Sequence, residues 1–152
     1  MAQWALVTGA TVGIGESFTR LLASKGYNIA LVARDEVRLH ERAGELREKY
    51  GIQTFVLPAD LATKSGVKSV EKYIQSYEIE VLINNAGFAI NKVFTASDLG
   101  DEQDLLNVLV RTPMRLMHVI LPGMKERKSG TIINVSSVAG FIAGGTYSAA
   151  KS

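Results

Sequence analysis

Near its end the chain reads TYSAAKS, residues 146–152, with Tyr147 and Lys151 four positions apart. That spacing brings two side chains to one face of an α-helix, so a phenol and an ammonium would share the same space. Lowering a phenol pKa from near 10 to about 7 takes roughly 4 kcal/mol in favour of the phenolate. An ammonium about 4 Å away, at an effective dielectric of about 20, supplies on the order of 4 kcal/mol. The pair can therefore serve as an acid or base at neutral pH, provided that the site is partly closed. Alone, a tyrosine and a lysine at this spacing make an ordinary solvated helix face, and their meaning depends on what accompanies them.

What accompanies them begins at TGATVGIGESF, residues 8–18, directly after an apolar run. In a strand-to-helix turn, Gly9 permits the tight reversal, while Gly13 and Gly15 let peptide N–H groups approach a pyrophosphate at the positive end of the next helix. The spacing is weak evidence by itself, but its place between a first strand and an amphipathic helix points to dinucleotide binding. A nucleoside triphosphatase loop would need a lysine and then a serine or threonine after the last glycine. Glu16 and Ser17 stand there instead, and an acid at that point repels the phosphates that the lysine should grip. At the end of the second strand, LVARDE has Ala33 where an acid would receive a free ribose 2′-hydroxyl, followed by Arg34. An arginine there suits a 2′-phosphate, which favours NADP(H) over NAD(H); the alternative is an arginine that merely caps the next helix. Thr11 adds a hydroxyl to the same end, and Val12 brings no second cation.

These residues need a scaffold, and the sequence supplies an alternating one. Apolar runs beginning at Trp4 (WALVTG), Asn28 (NIALVA) and Thr54 (TFVLPA) read as strands buried on both faces, and Val81–Asn84 (VLIN) and Thr131–Val135 (TIINV) as two further strands. Between them lie helical patterns over 13–25, 35–50 and 63–77, then a long one ending near Lys125 that Pro113 interrupts, so that this segment kinks or begins late. Five strands joined by helical crossovers imply an α/β fold with a doubly wound parallel sheet and helices on both faces. No linker or repeat divides the 152 residues, which read as a single dinucleotide-binding domain.

Composition narrows the function. The 17 basic and 15 acidic residues nearly cancel and are scattered, so neither a nucleic-acid nor an anionic-membrane partner is indicated. With no cysteine and with His40 and His118 far apart, a metal site is not expected. No apolar run approaches the roughly 18 residues of a membrane span, and the N-terminus enters a strand pattern at once; a cytoplasmic protein is expected.

The pattern TGxxxGIG resembles that of the short-chain dehydrogenase/reductase family, and further motifs follow in that family's order through the whole chain. ADL, with Asp60 and Leu61, is similar to its acidic contact beside the adenine, although alone it could be a helix cap. NNAG, Asn84 to Gly87, resembles the motif after its fourth strand, bringing Asn85, Ala86 and Gly87 to the cofactor, although two asparagines could also be an ordinary turn. Asn107 falls where the family keeps an asparagine, NVSSVAGF supplies a serine, and YSAAK supplies the tyrosine and lysine.

The resemblance implies a Rossmann-type fold and hydride transfer between NADP(H) and a carbonyl or secondary alcohol. Tyr147 would exchange a proton with the substrate oxygen, Lys151 would lower the tyrosine pKa and bind the nicotinamide ribose, and Ser137 would hydrogen-bond the oxygen. Asn107 would hold a relay water, and Gly9, Thr11, Gly13, Ile14, Gly15, Arg34, Asp60, Leu61, Asn85, Ala86, Gly87, Tyr147 and Lys151 would contact the cofactor. One departure is that Tyr147 follows Ser137 by only ten positions, tighter than is common in the family; strand alternation should aim only one of Ser136 and Ser137 at the site, and Ser137 is preferred. The family usually continues well beyond its lysine, so the fold is expected to lack its C-terminal part, together with much of the substrate pocket and of a helix-paired homo-oligomer interface. A truncated, catalytically inert nucleotide-binding module is the alternative.

Overall fold

A computed structural model describes residues 3–152. Five strands, β1 (Trp4–Thr8), β2 (Asn28–Ala33), β3 (Thr54–Pro58), β4 (Ile79–Asn84) and β5 (Thr131–Asn134), form one parallel sheet in the order β3-β2-β1-β4-β5. The chain steps outward from β1 to β3, then returns to the other side of β1 for β4 and β5. This is the doubly wound, Rossmann-type arrangement, and its reversal opens a crevice at the carboxyl ends of β1 and β4. Every strand expected from the apolar runs is present, with β4 starting two residues early.

Alternation along the strands builds a core on each face. Ala5, Val7, Ile29, Leu31, Val81 and Ile83 point to one side, under Leu22 and Ala23 of α1 (Gly13–Ser24) and Leu39, Ala43 and Leu46 of α2 (Glu36–Tyr50). Leu6, Ala30, Val32 and Leu82 point to the other, under Val67, Val70 and Ile74 of α3 (Lys64–Ser76) and Leu116, Ile120 and Met124 of α5 (Thr112–Arg127). Each large aliphatic side chain so buried contributes about 1.5–3 kcal/mol, and that burial fixes the strand ends from which the site is built.

The helices start where side chains can cap them. Asp35 accepts the Arg38 N–H at 3.1 Å to start α2, and Thr63 accepts the Gly66 N–H at 3.0 Å to start α3. Asp98 accepts the Gly100 N–H at 2.7 Å to start α4 (Leu99–Leu106). The long helical pattern neither begins late nor breaks. Instead α4 passes into a π-helical turn, Asn107–Arg111, before α5. Pro113 has no N–H for the carbonyl four residues back, and a widened turn just before it accommodates that loss. The last helix, α6 (Gly145–Lys151), carries the tyrosine and lysine. Among the described residues no helix is long and apolar enough to cross a membrane.

At the amino-terminal edge of the sheet, Tyr73 stacks on Tyr77 with centroids 4.5 Å apart, lies 4.6 Å from Phe55 and meets Trp4 edge-on at 6.5 Å. Its hydroxyl is buried with no hydrogen-bond partner; burial first, and the neighbouring Tyr77 second, push its ionisation well above the usual tyrosine range. An unpaired buried hydroxyl costs about 1 kcal/mol or more. Tyr73→Phe is therefore expected to raise the melting temperature by about 2–4 °C, and a clear drop in a thermal melt would show that the hydroxyl is satisfied after all.

Candidate active site

The site begins with a staple across the crevice. Thr8, buried at the end of β1, donates its hydroxyl to the Ile83 carbonyl at 3.2 Å and accepts the Asn85 and Ala86 N–H groups at 3.0 Å each. The Asn85 side-chain amide donates back to the Thr8 and Gly9 carbonyls at 3.1 and 3.2 Å. The glycine turn and the NNAG turn are thus held as one body. Asn85, expected to touch cofactor, spends its amide on this scaffold, while Ala86 and Gly87 line the cleft. Sequence reading did not single out Thr8; the threonine directly before Gly9 was the available signal.

The glycines of the turn have different tasks. Gly9 adopts φ +66, and a Cβ there would come within 2.8 Å of the Asn85 amide nitrogen. Gly13 adopts φ +59, with nothing within 4 Å of where a Cβ would stand. Val12 leaves the start of α1 without a side-chain cap, and so leaves its first N–H groups free. Open space beside uncapped donors fits a pyrophosphate. Gly15 has a packing task that spacing did not disclose, since its missing Cβ would lie 2.0 Å from the Gly9 carbonyl oxygen. It lets the helix close on the turn. Ile14 is exposed on the same turn, and Thr11 is buried against it.

A cleft of about 330 Å³ continues from the turn, lined by Gly9, Thr11 and Val12 on one side and by Ala86, Gly87 and Phe88 on the other. At its outer end stand Arg34 and Arg38, and Asp60 and Leu61 form the floor. Arg34 enters no ion pair among the described residues, whereas Arg38 approaches Asp35 at 3.3 Å. Arg38 is thus a second cation at this end, missed because only the position directly after β2 was weighed. The Asp60 carboxylate accepts the Ala62 N–H at 3.0 Å, and the buried Leu61 carbonyl accepts the Thr112 hydroxyl at 2.8 Å. Asp60 therefore orders the turn before α3, whose cap is Thr63, while also lining the cleft.

At the chemistry end, the Lys151 ammonium donates to the Val135 carbonyl at 2.7 Å, and a Cβ on Gly87 would lie 3.9 Å from it. Lysine and cofactor cleft thus meet at Gly87. Tyr147 lines an adjoining pocket of about 320 Å³ with Ile90, Lys92, Phe94, Glu102 and Leu105. The Ser136 hydroxyl donates to the Lys151 carbonyl at 2.7 Å, tying the strand end to α6. The Ser137 hydroxyl accepts the Ala139 N–H at 3.2 Å, which leaves its own proton uncommitted. The two hydroxyls thus have different partners, Ser136 on α6 and Ser137 in its own turn, and neither serine lines the Tyr147 pocket. Asn107 opens the π-helical turn and lines a cavity of about 150 Å³ with Leu61, Lys64 and Arg111, separate from the pocket that Tyr147 lines.

A Rossmann-type sheet with a glycine turn, paired cations at the outer end and a Tyr-Lys helix at the inner end defines a dinucleotide-binding oxidoreductase scaffold. Residues 3–152 match the short chain dehydrogenase family, and the chain belongs to it. It is 38% identical, over 97% of its length, to a very-long-chain 3-oxoacyl-CoA reductase of Laccaria bicolor, of which it spans 46%. It is 33% identical, over 89% of its length, to an inactive hydroxysteroid dehydrogenase-like protein 1 of Homo sapiens, of which it spans 42%. The chain spans about half the length of the curated relatives it matches. A short-chain dehydrogenase of Sphingobium yanoikuyae, solved in complex with NADPH, superposes with a TM-score of 0.95 at 33% identity, covering 98% of this chain and 60% of that one.

Glu102 is a further residue that the sequence did not disclose. It is buried on α4, accepts a hydrogen bond from Ser97 Oγ at 2.5 Å and shares a pocket with Thr146, the neighbour of Tyr147. The Ser97 bond first and the Thr146 hydroxyl second hold its carboxyl below the usual glutamate range, partly offset by burial. A carboxyl whose folded pKa is depressed adds stability above its unfolded pKa of about 4.3, and loses it as pH falls through the folded value. Glu102→Gln is expected to melt below the wild type at pH 7, with the gap closing as the pH is lowered past that range. A gap independent of pH in paired thermal melts would rule out the carboxylate tether.

Proposed function

We propose that this chain is the dinucleotide-binding domain of an NADP(H)-dependent oxidoreductase that interconverts a carbonyl and a secondary alcohol. The observation that carries the reading is the meeting of the two ends of the site at Gly87, with the phosphate turn and Arg34 along one cleft and Lys151 at its inner end. NADPH, when bound, supplies a hydride to the substrate carbon. Gly13, Thr11 and the open N–H groups of α1 would hold its pyrophosphate, Arg34 and Arg38 its 2′-phosphate, and Asp60, Leu61, Ala86 and Gly87 the adenosine side. Ser137 would donate its free proton to the substrate oxygen, where negative charge grows. Tyr147 would hand its phenolic proton to that oxygen, and Lys151 would stabilise the phenolate left behind. Asn107 is retained as a relay candidate on resemblance alone, because the cavity it lines is not one that Tyr147 lines.

Ile90, Val93, Phe94 and Leu105 in the pocket beside Tyr147, and the reductase relatives, support a substrate with an apolar body. Exposed Leu106, Val110, Met114 and Leu121 along α4, the π-helical turn and α5 support a homo-oligomer. A second reading, a module that binds NADPH without turnover, is favoured by the short ten-residue step from Ser137 to Tyr147 and by relatives described as inactive. Calorimetric titration with NADPH tests binding, and ketone-dependent NADPH oxidation tests turnover. Binding without oxidation of NADPH across a ketone panel selects the second reading, and no binding at all removes both.

Two variants probe the roles. Arg34→Ala is expected to weaken NADPH binding by about tenfold or more, as loss of a charge-assisted contact should, and to leave NADH nearly unchanged; equal losses would remove the 2′-phosphate assignment. Ser137→Ala is expected to cut turnover by roughly 10²-fold, and Ser136→Ala by much less. The reverse order of the two rates would move the substrate contact to Ser136.

A further inference from the structure

Glu16 places a carboxylate in the first turn of α1, at the end of the helix where a phosphate is favoured. Two guanidinium groups restrain it: Arg20 on the same helix at 2.5 Å, and Arg42 from α2 at 3.0 Å. Arg20 is 53% exposed and Arg42 only 27%, so Arg42 is the more firmly packed of the two. Arg42 is anchored in turn by Glu45 at 2.7 Å, and its Nε donates to the Thr11 carbonyl at 3.4 Å. That last contact sets a direction. In a trans peptide the carbonyl and the following N–H point opposite ways, so a Thr11 carbonyl drawn toward α2 turns the Val12 N–H away from α2. Thr11 and Val12 both line the cleft.

We propose that Arg42 is a positioning residue for the phosphate turn: it fixes the Thr11–Val12 peptide and holds the Glu16 carboxylate against α2, away from an incoming pyrophosphate. The inference rests on the NADP(H) site proposed above. It also accounts for an acid at a place where an acid should repel the ligand, because the charge is answered from the neighbouring helix. Arg42 lies outside the residues lining the cleft, so its influence passes through the turn.

The test compares two ligands by calorimetry. NADPH carries the pyrophosphate, whereas adenosine 2′-monophosphate keeps the adenosine and 2′-phosphate without it. For Arg42→Met the expected result is a Kd for NADPH raised about tenfold and a Kd for adenosine 2′-monophosphate that stays within about twofold. Equal losses for both ligands would overturn the proposal, because they indicate a general disturbance of α2, and so would an unchanged Kd for NADPH. Should the Met variant fold poorly, Arg42→Lys carries the same comparison with a smaller NADPH loss. A wild-type chain that binds no NADPH would overturn the proposed function and this inference together, whereas binding that Arg42→Met leaves intact overturns this inference alone.

Discussion

The candidate site depends on a hydroxyl. Thr8 stands at the point where the strand order reverses, and its single oxygen is bonded to the chain at Ile83, Asn85 and Ala86. Two strands that are adjacent in the sheet, yet far apart in sequence, would otherwise present two independent turns at the crevice. With the Asn85 amide returning to the Thr8 and Gly9 carbonyls, the turns become one body. A serine could make the hydroxyl contacts but would not bring the β-branched stiffness of threonine, so geometry as well as hydrogen bonding recommends the residue found. The crevice is open because the sheet reverses there, and it keeps its shape because this staple occupies the reversal.

Much of this was legible in the residues. Apolar runs bounded by turns leave little ambiguity, and the five runs supplied the five strands, although β3, expected to be buried on both faces, is a half-buried edge strand with Phe55 exposed. The glycine turn, Arg34 and the Tyr-Lys pair are local patterns whose chemistry follows from spacing. What was not legible is contact between distant segments. Thr8 stands directly before Gly9 and Arg38 lies in the first turn of α2, but what they and Glu102 touch is set by tertiary packing. Gly15 shows the same limit from the other side: the spacing identified a glycine, but only the fold shows how closely it packs on the Gly9 carbonyl. Pro113 was recognised as a disturbance, but the compensation is a π-helical turn across Asn107–Arg111, which sequence pattern alone cannot distinguish from a kink.

The seven-residue helix α6 needs more support than its length provides, since isolated helices shorter than about 12 residues are marginal in water. The support comes from three sides. α4 packs against it, with Glu102 and Thr146 lining one pocket, Ser136 holds the Lys151 carbonyl at its end, and the Lys151 ammonium is bonded to the Val135 carbonyl. A Cβ on Gly140 would lie 2.5 Å from the Lys151 carbonyl oxygen, so the loop after β5 packs closely on the same end. The shortened step between Ser137 and Tyr147 is therefore a close-fitting connection, tied at the residues whose geometry matters most.

The bond from Lys151 to Val135 bears on how the lysine can act. An ammonium has three donors, and spending one on a main-chain carbonyl fixes its position while leaving two for a ribose and for the phenol of Tyr147. Its positive charge is undiminished, because a carbonyl is neutral, so the Coulomb term available to a phenolate survives. A carboxylate in place of Val135's carbonyl would have fixed the lysine as well but would have cancelled that term. Glu102, which lines the Tyr147 pocket, is turned instead to Ser97. At the outer end of the cleft the acids are answered by close neighbours, Glu16 by Arg20 and Arg42 and Asp35 by Arg38, which leaves Arg34 in no ion pair among the described residues.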